Sequence, residues 1–209
     1  MVNITCCAVG AIGTNCYIVS DIHGTCFIID PGADASIIID TVTTHHLKPK
    51  CIVNTHGHYD HIGANKEIAD FFTIPVWCHT NDAGMLIDAA LNFSHYSGYP
   101  VQSPPPQRLL HDGDDISLAG TVWRIMHTPG HTKGSMILYS SEARVMFTGD
   151  TLFNEDFGRT DLPGGSETEM KDSLQKIAAL DGDFTIYPGH GESALLSEQR
   201  SVIAHFCRE

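Results

Sequence analysis

Basic residues are scarce in this sequence, which has 12 lysines and arginines against 25 aspartates and glutamates and a formal net charge of −13. A chain this acidic is repelled by phosphate backbones and by anionic lipid surfaces. We therefore expect no nucleic-acid partner and no membrane partner. The same charge would repel an anionic substrate unless bound cations offset it locally.

Long apolar runs are also absent, since no stretch approaches the roughly 18 residues that a membrane-spanning helix requires. The N-terminal segment MVNITCCAVGAIGTNC has no basic region followed by an apolar stretch, so it does not resemble a secretory signal. Seven cysteines are present, but none form a C-x-x-C pair, and an odd number does not suit a disulfide framework. We therefore predict reduced thiols in a cytoplasmic protein, with Cys16, Cys26 and Cys51 in the core.

The overall composition is that of an ordinary globular protein. The 209 residues are 42% hydrophobic and 18% charged, which predicts a single domain over residues 1–209. Short β-rich runs alternate with amphipathic helical segments, and residues 81–91 are among the predicted helices. A monomer is the default expectation, because no segment of the sequence indicates a dimer interface.

Metal-capable side chains are concentrated in one stretch, THGHYDH at residues 55–61. The apolar, β-branched run KCIVNT, typical of a buried strand, leads into it, and a segment with helical spacing follows. The motif is therefore predicted to lie in a strand-to-helix turn, where α/β proteins place their functional sites.

Three further strands end in a turn that carries a histidine or an aspartate. VWRIMHTPG leads to His131, VMFTG leads to Asp150 and FTIYPG leads to His190. Because strand ends at one edge of a sheet assembly converge in space, we expect these side chains to meet those of the first motif. The candidate metal ligands are then His56, His58, Asp60, His61, His131, Asp150 and His190.

Seven ligands exceed the four that a tetrahedral zinc ion takes, and they suit two metal ions that share one ligand. His56 and His58 can turn toward one ion if the glycine between them permits a tight turn. Asp60 and His61 are adjacent and must point in different directions, which suits a second ion. An aspartate can bridge two cations through its two oxygens, and Asp150 is the natural bridge. Imidazole and carboxylate ligands without thiolate suit zinc, iron or manganese.

The string His-x-His-x-Asp-His at 56–61, followed in order by TPGHT, TGD and PGHG, resembles the metallo-β-lactamase superfamily over nearly the whole chain. GDTLFNEDFGRTDLPGGS at 149–166 and the final YPGHGES are similar to the glyoxalase-II-like hydrolases. The resemblance implies an α/β (α+β) fold, a four-layer αββα sandwich with the site at one edge of its two sheets. It also implies that metal 1 is bound by His56, His58 and His131, that metal 2 is bound by Asp60, His61 and His190, and that Asp150 bridges the two.

The activity implied by the resemblance is that of a dinuclear metal-dependent hydrolase acting on a small thioester or ester. Two divalent metal ions, with zinc expected and iron or manganese as alternatives, would hold a bridging hydroxide that attacks the carbonyl carbon. Asp60 is the expected catalytic residue, because it can hold or shuttle the proton of the water as well as bind metal.

Two other functions stay open. Persulfide dioxygenases share the fold and the histidine motif but use a single iron, whose ligands correspond here to His56, His131 and Asp150. A noncatalytic metal-binding module is the third interpretation, although the complete ligand set argues against it. Oxygen consumption with a persulfide, or turnover of a thioester, would separate these functions.

Two departures from the family narrow the expected activity. The zinc β-lactamases carry cysteine where Asp150 stands, so antibiotic hydrolysis is not expected to be the main role. Glyoxalase II has an added C-terminal helical region that holds glutathione, whereas this chain ends about one helix after His190, so specificity for glutathione thioesters is not implied.

Several other residues have two interpretations in the sequence. Asp30, which follows the strand CFII, could support the metal site from behind or only form a turn. Arg159 could pair with Asp161, which we favour, or face an anionic substrate. The tyrosine- and proline-rich segment 92–108 could overhang a pocket or only connect two elements. The other histidines lack the ligand pattern and are expected at the surface or in hydrogen bonds: His23, His45, His46, His79, His95, His111, His127 and His205.

Overall fold

The apolar strands of the sequence form two six-stranded β-sheets in a computed structural model that describes residues 2–208. The first sheet contains, in chain order, β1 (Asn3–Val9), β2 (Thr14–Ser20), β3 (Thr25–Ile29), β4 (Lys48–Asn54), β5 (Val76–His79) and β6 (Arg108–Leu110). The second contains β7 (Asp115–Leu118), β8 (Thr121–His127), β9 (Met136–Ser140), β10 (Val145–Gly149), β11 (Thr185–Pro188) and β12 (Ala194–Leu195).

Strand order follows the chain in both sheets. In the first sheet β1, β2 and β3 are antiparallel neighbours, and β3, β4, β5 and β6 run parallel. The second sheet has the order β12-β11-β10-β9-β8-β7 and is antiparallel except for the β10–β11 pair. The parallel strands bring the carboxyl ends of β4 and β5 to one edge of the first sheet.

The described residues contain six α-helices: α1 (Ala35–Thr44), α2 (Tyr59–Ile62), α3 (Asn65–Phe72), α4 (Ala83–Ile87), α5 (Glu167–Ala178) and α6 (Leu196–Phe206). Ser166 caps α5, with its hydroxyl accepting a hydrogen bond from the Glu169 amide at 3.3 Å. None of the helices among residues 2–208 is long and apolar enough to cross a membrane.

The two sheets pack face to face, and helices cover their outer faces. Alternate residues of β3 and its neighbours point in opposite directions, so Phe27 lies between the sheets while Ile28 contacts the helix side. Between the sheets, the Phe27 ring lies 5.5 Å from that of Trp123, which is 5.4 Å from the Phe147 ring. Full burial of one such side chain stabilises the fold by about 1.5–3 kcal/mol.

Two further apolar clusters complete the layers. One joins the first sheet to α1 and α3 through residues such as Ile38 and Ile68, and the other joins the second sheet to α5 and α6 through Leu174 and Ile203. The predicted four-layer αββα sandwich is therefore confirmed. Cys16, Cys26 and Cys51 are fully buried and unpaired, as predicted.

Two parts of the sequence-based prediction were wrong. The helix predicted over 81–91 is shorter, because α4 ends at Ile87 and Asp88 adopts an extended conformation. The side-chain amide of Asn92 there donates to the Met85 carbonyl at 2.9 Å and so takes up one of the carbonyls that end the helix. In addition, β1, β5, β6 and β12 were not predicted, and Ala194–Leu195 of β12 had been expected to begin the last helix.

The sheets are joined by hydrogen bonds at the edge that carries the predicted ligands. The Met136 amide at the start of β9 donates to the Thr55 carbonyl at 2.9 Å. The Tyr17 hydroxyl of β2 donates to the Pro188 carbonyl of β11 at 2.6 Å, and the Asn15 amide nitrogen donates to the Gly189 carbonyl. These links fix the turns after β4 and β11 relative to one another.

Candidate metal centre

All seven candidate ligands lie together at this edge. Four come from the segment after β4, and the others come from the loop before β9, the end of β10 and the turn after β11. Six of them form two groups of three, within each of which the ligand atoms lie within 4.8 Å of one another. We call these the imidazole trio (His56, His58 and His131) and the mixed trio (Asp60, His61 and His190).

Asp150 lies between the two trios. Its Oδ1 is 3.3 Å from His61 Nε2, and its Oδ2 is 3.6 Å from both His131 Nε2 and His190 Nε2. One carboxylate therefore faces both groups, which is the position that a bridging ligand requires.

Two rings of the imidazole trio, those of His56 and His131, are held by hydrogen bonds from their outer nitrogens. Thr55 Oγ1 donates its proton to Asp30 at 2.6 Å, so it can only accept from His56 Nδ1, 3.2 Å away. His131 Nδ1 donates to the Arg159 carbonyl at 2.8 Å. Each ring then carries its proton on the outer nitrogen, which leaves the inner Nε2 with a free lone pair.

The inner nitrogens of these rings have few neighbours that could satisfy them. Within residues 2–208, His56 Nε2 is buried and has no hydrogen-bond partner. His131 Nε2 lies 2.8 Å from His58 Nδ1, so two imidazole nitrogens face each other. Converging imidazole nitrogens of this kind suit zinc or another first-row divalent cation.

Burial and mutual repulsion keep His56 and His58 uncharged. Burial, then the neighbouring imidazoles, lower the pKa of His56 well below its ordinary value. The same causes, burial first and then His131, lower the pKa of His58 to about 3. Both rings are neutral at neutral pH, which is the state that binds metal.

The mixed trio has the opposite electrostatics. His61 Nδ1 donates to Asp30 Oδ2 at 3.0 Å, so His61 Nε2 turns toward Asp60 Oδ2 and Asp150 Oδ1, each 3.3 Å away. Burial alone would lower the pKa of His61, but these three carboxylates outweigh burial and raise it. A buried ring among three carboxylates requires a positive charge, which a proton or a bound cation supplies.

The carboxylates of this region stay ionised. Burial by itself raises the pKa of Asp60 and Asp150, but the surrounding histidines, His61 foremost, more than offset burial and hold both values below the ordinary range. Asp150 Oδ1 is buried and has no hydrogen-bond partner in the part of the chain that the structure describes. An ionised oxygen without a donor is a further sign that this pocket fits cations.

Asp30 supports both trios from behind. It accepts the Thr55 amide at 2.8 Å and the Thr55 hydroxyl, which in turn accepts from His56, and it binds His61 directly. Asp30 itself has a φ of 49°, a left-handed conformation that is unfavourable for a residue with a Cβ. Of the two interpretations of Asp30, the supporting role is therefore the one that the contacts show.

Two polar residues of the site were missed in the sequence. Asp82, fully buried, accepts the Gly57 and Gly134 amides at 3.0 and 2.7 Å and the Thr132 hydroxyl at 2.7 Å. It joins the turn carrying His56 to the loop carrying His131. Its position just after the strand PVWCH was the one available signal. Thr14 was also missed, and its hydroxyl donates to Asp60 Oδ2 at 3.2 Å.

Glycines are required at two points of the site for space rather than for backbone freedom. The prediction that the glycine between His56 and His58 relaxes the backbone was wrong, because Gly57 does not have a positive φ. A β-carbon there would lie 2.5 Å from Met85 Cβ. A β-carbon at Gly189 would collide with the Asp150 carboxylate, which explains the glycine of the PGHG turn.

Arg159 pairs with Asp161, as favoured from the sequence. Its Nε and Nη2 donate to the two carboxylate oxygens of Asp161 at 2.7 and 2.8 Å. The backbone of Arg159 holds His131, so this loop contributes to the site through a carbonyl group.

A second group of histidines lies at the neighbouring strand ends. His79 at the end of β5 stacks on His127 at the end of β8, with ring centroids 4.1 Å apart and planes 10° apart. His111 lies 6.4 Å from His79. We call these three residues the histidine stack; among residues 2–208, the groups with converging ligand atoms do not include it.

Comparison with known proteins agrees with this geometry. The sequence profile of the Metallo-beta-lactamase superfamily matches residues 9–190. Hydroxyacylglutathione hydrolase GloC of Haemophilus influenzae is 32% identical over 201 residues, which cover 95% of each chain. The structure of BLEG-1, a B3 metallo-β-lactamase, is 35% identical with a TM-score of 0.90 and covers 96% of this chain and 97% of that one. TTHA1623, solved in a di-iron-bound form, is 29% identical with a TM-score of 0.84, and the match covers 93% of this chain and 96% of that one.

The chain belongs to the metallo-β-lactamase superfamily. It is a metallohydrolase of that superfamily, with a cluster of histidine and aspartate side chains able to hold divalent metal ions. From the sequence, we expected a hydrolase of glutathione thioesters to need an added C-terminal region. The H. influenzae relative is named a hydroxyacylglutathione hydrolase, yet the alignment covers 95% of it and leaves no room for such a region.

Proposed function

We propose that this protein hydrolyses small thioesters or esters with two divalent metal ions. One observation carries the proposal. Buried ring nitrogens without hydrogen-bond partners and ionised carboxylate oxygens converge on two adjacent positions, with Asp150 facing both. Side chains in this state fit two cations better than they fit each other.

The imidazole trio would hold one ion and the mixed trio the other, with Asp150 shared between them. When bound, the two ions supply Lewis acidity that polarises a carbonyl oxygen and makes water a nucleophile near neutral pH. Zinc is the expected metal, and the di-iron form of a protein 29% identical makes iron the alternative to measure first.

Asp60 orients the attacking water in this proposal. The side chain is partly open to solvent, and its Oδ2 is positioned by the Thr14 hydroxyl at 3.2 Å and by His190 Nε2 at 3.3 Å. Because its pKa is held below the ordinary range, Asp60 is ionised at neutral pH and is a weak base. Asp60 therefore accepts a hydrogen bond from the water molecule and orients it, but does not take up the proton of the water.

The overall reaction adds water across one bond. The water oxygen attaches to the carbonyl carbon, the bond from that carbon to sulfur or oxygen breaks, and the departing thiolate or alkoxide takes up a proton. A carboxylic acid and a thiol or alcohol result. The Arg159 carbonyl and Asp30 keep His131 and His61 fixed in one tautomer during this cycle.

The test begins with metal content per chain after purification without chelator, followed by activity on a thioester and ester panel that includes a hydroxyacylglutathione. Two equivalents of metal with thioester turnover that chelation abolishes and metal restores support the proposal. A single iron, with oxygen consumed in the presence of a persulfide and no thioester turnover, overturns it in favour of the dioxygenase alternative. Retention of metal with no turnover of any panel member points to a noncatalytic module.

β-Lactam hydrolysis is a second candidate, favoured by one observation. A B3 metallo-β-lactamase structure is 35% identical and covers 96% of this chain. The amide bond of a β-lactam is cleaved by the same addition of water, so a β-lactam belongs in the panel. The presence of Asp150 still leads us to expect thioester turnover to exceed β-lactam turnover.

A further inference from the structure

The loop after α4 is braced by its own buried polar groups. Asn92 donates to the Met85 carbonyl at 2.9 Å and to the Val101 carbonyl at 3.1 Å, and its Oδ1 accepts the Ser94 amide at 3.0 Å. Ser94 Oγ accepts the Val101 amide at 2.8 Å. Both side chains are buried, so the base of the loop has a defined conformation. We call residues 87–101 the aromatic loop.

Phe93, between these two buried residues, is held over the metal centre. Its φ is 68°, which an aromatic residue rarely adopts and which indicates a functional constraint. Its ring lies 5.3 Å from the ring of His58, at 64°. The Tyr59 amide donates to the Asn92 carbonyl at 3.0 Å, which ties the loop to the segment that carries Asp60.

The aromatic loop continues outward from Phe93 as an exposed apolar surface. The Tyr96 ring lies 6.4 Å from that of Phe93 and is 78% exposed, and Tyr99 is 83% exposed. Leu91 and Ile87 on the same loop are about half exposed. Exposed apolar side chains grouped beside a polar site are typical of a surface that binds a ligand.

The loop offers no positive charge to a ligand. Residues 83–101 contain no lysine or arginine, and their one charged side chain is Asp88. Across the site, the guanidinium of Arg159 is already paired with Asp161. An anionic substrate group would therefore find no lysine or arginine on this loop with which to form an ion pair.

We propose that the aromatic loop binds an aromatic or bulky, uncharged group of the substrate, with Phe93 and Tyr96 as the residues that determine specificity. The proposal rests on the proposed function, since it names the substrate class of the same site. Stacking and apolar contact on Phe93 hold this group beside the imidazole trio, where the carbonyl reacts. The loop has no lysine or arginine to pair with the carboxylates of a glutathione thioester.

Matched substrates test the proposal. Phenylacetyl and acetyl thioesters of one small uncharged thiol place the ring on the acyl side, and acetyl thioesters of benzyl and ethyl thiols place it on the leaving side. With each rate normalised to the hydroxide-catalysed reaction, we expect the aryl member of one pair to have about a tenfold higher kcat/KM. Phe93→Ala and Tyr96→Ala should each remove most of that preference, because KM rises more for the aryl member of the pair than for the alkyl member.

Phe71→Ala is the control, because Phe71 is an exposed aromatic residue on α3, outside the site. Wild-type selectivity in this variant, together with reduced selectivity in the two loop variants, supports the proposal. Equal normalised rates for both pairs, or an aryl preference that survives both loop substitutions, overturns it.

Direct binding separates this proposal from the proposed function. If no thioester or ester is turned over, the proposed function fails, and calorimetry with phenylacetamide, an uncharged aryl probe, still tests the loop on metal-loaded protein. Binding by the wild type and by Phe71→Ala, weakened at least about fivefold in Tyr96→Ala, supports the aromatic loop as a binding surface. Absence of binding by the wild type, or equal binding by all variants, overturns it.

Discussion

The metal centre and the histidine stack lie at the same end of the two sheets and differ in how their ring nitrogens are aimed. In the metal centre, His56 and His61 donate outward to Thr55 and Asp30, and their inner nitrogens face the other ligands. In the stack, the planes of the His79 and His127 rings are within 10° of parallel. The nitrogen lone pairs of the two rings therefore lie in separate parallel planes and do not point at one common position.

Hydrogen bonding makes the same distinction. His79 Nδ1 accepts the Asn81 amide at 3.3 Å, and His127 Nε2 contacts the Lys133 carbonyl at 2.8 Å. Both rings of the stack thus use nitrogens on backbone groups. In the metal centre, His56 Nε2 and His61 Nε2 are buried and make no hydrogen bond among the described residues, and His61 Nε2 faces two carboxylates. Convergence of unsatisfied nitrogens, rather than the number of histidines, identifies the metal site.

Removal of one imidazole from the metal centre should have the largest effect. His56→Ala deletes a buried nitrogen of the imidazole trio that has no hydrogen-bond partner among the described residues. We expect metal content to fall by at least one equivalent and kcat/KM to fall at least about a thousandfold. Elemental analysis and the thioester assay measure both.

His111→Gln is the matched control for that change, since it removes an exposed histidine of the stack. We expect wild-type metal content and activity. Loss of metal in His111→Gln equal to that in His56→Ala would show that the stack also binds metal and would remove the distinction drawn above.

Asp60→Ala tests the mixed trio separately. It removes the carboxylate that lies 3.3 Å from both His61 and His190. We expect metal content to fall from about two equivalents to about one and kcat to fall at least about a hundredfold, because the imidazole trio keeps all its ligands. Two equivalents retained in this variant would contradict the assignment of Asp60 as a ligand.

The seven clustered side chains could be predicted because each follows an apolar strand, and strand ends converge. The polar residues that support these side chains from behind could not be predicted. Asp82 contacts Thr132, which is 50 residues away in the chain, and Thr14 contacts Asp60, which is 46 residues away. A single polar residue leaves no periodic pattern in the sequence. The strands β5 and β6, of four and three residues, are too short for alternation to register. The early end of α4 likewise depends on a side-chain contact of Asn92.

Asp30→Asn should have a smaller effect than loss of a ligand. Asparagine tolerates the left-handed φ of 49° at this position, so the change removes charge with little backbone strain. The hydrogen bond from His61 weakens, and we expect metal affinity to fall about 10–100-fold. Competition with a chromophoric chelator measures it.

Asp82→Asn is the comparison for Asp30→Asn, because Asp82 contacts backbone amides and Thr132 but no imidazole. It should lower the free energy of unfolding by about 1–3 kcal/mol and change metal affinity less than Asp30→Asn does. Equal losses of affinity in the two variants would mean that loop position, not the imidazole contact, determines metal binding.

The histidine stack should make a small, pH-dependent contribution to stability. Burial, with the nearby His127 and His111 adding to it, lowers the pKa of His79 to about 4, against about 6.5 in an unfolded chain. Between these values the unfolded state binds the extra proton, so stability falls as the pH is lowered from about 6.5 toward 4. His79→Gln removes this titration. In urea unfolding at pH 7 and pH 5, the wild type should lose about 1–2 kcal/mol more than His79→Gln on acidification. Equal losses would show that the pKa of His79 is the same in the folded and the unfolded protein.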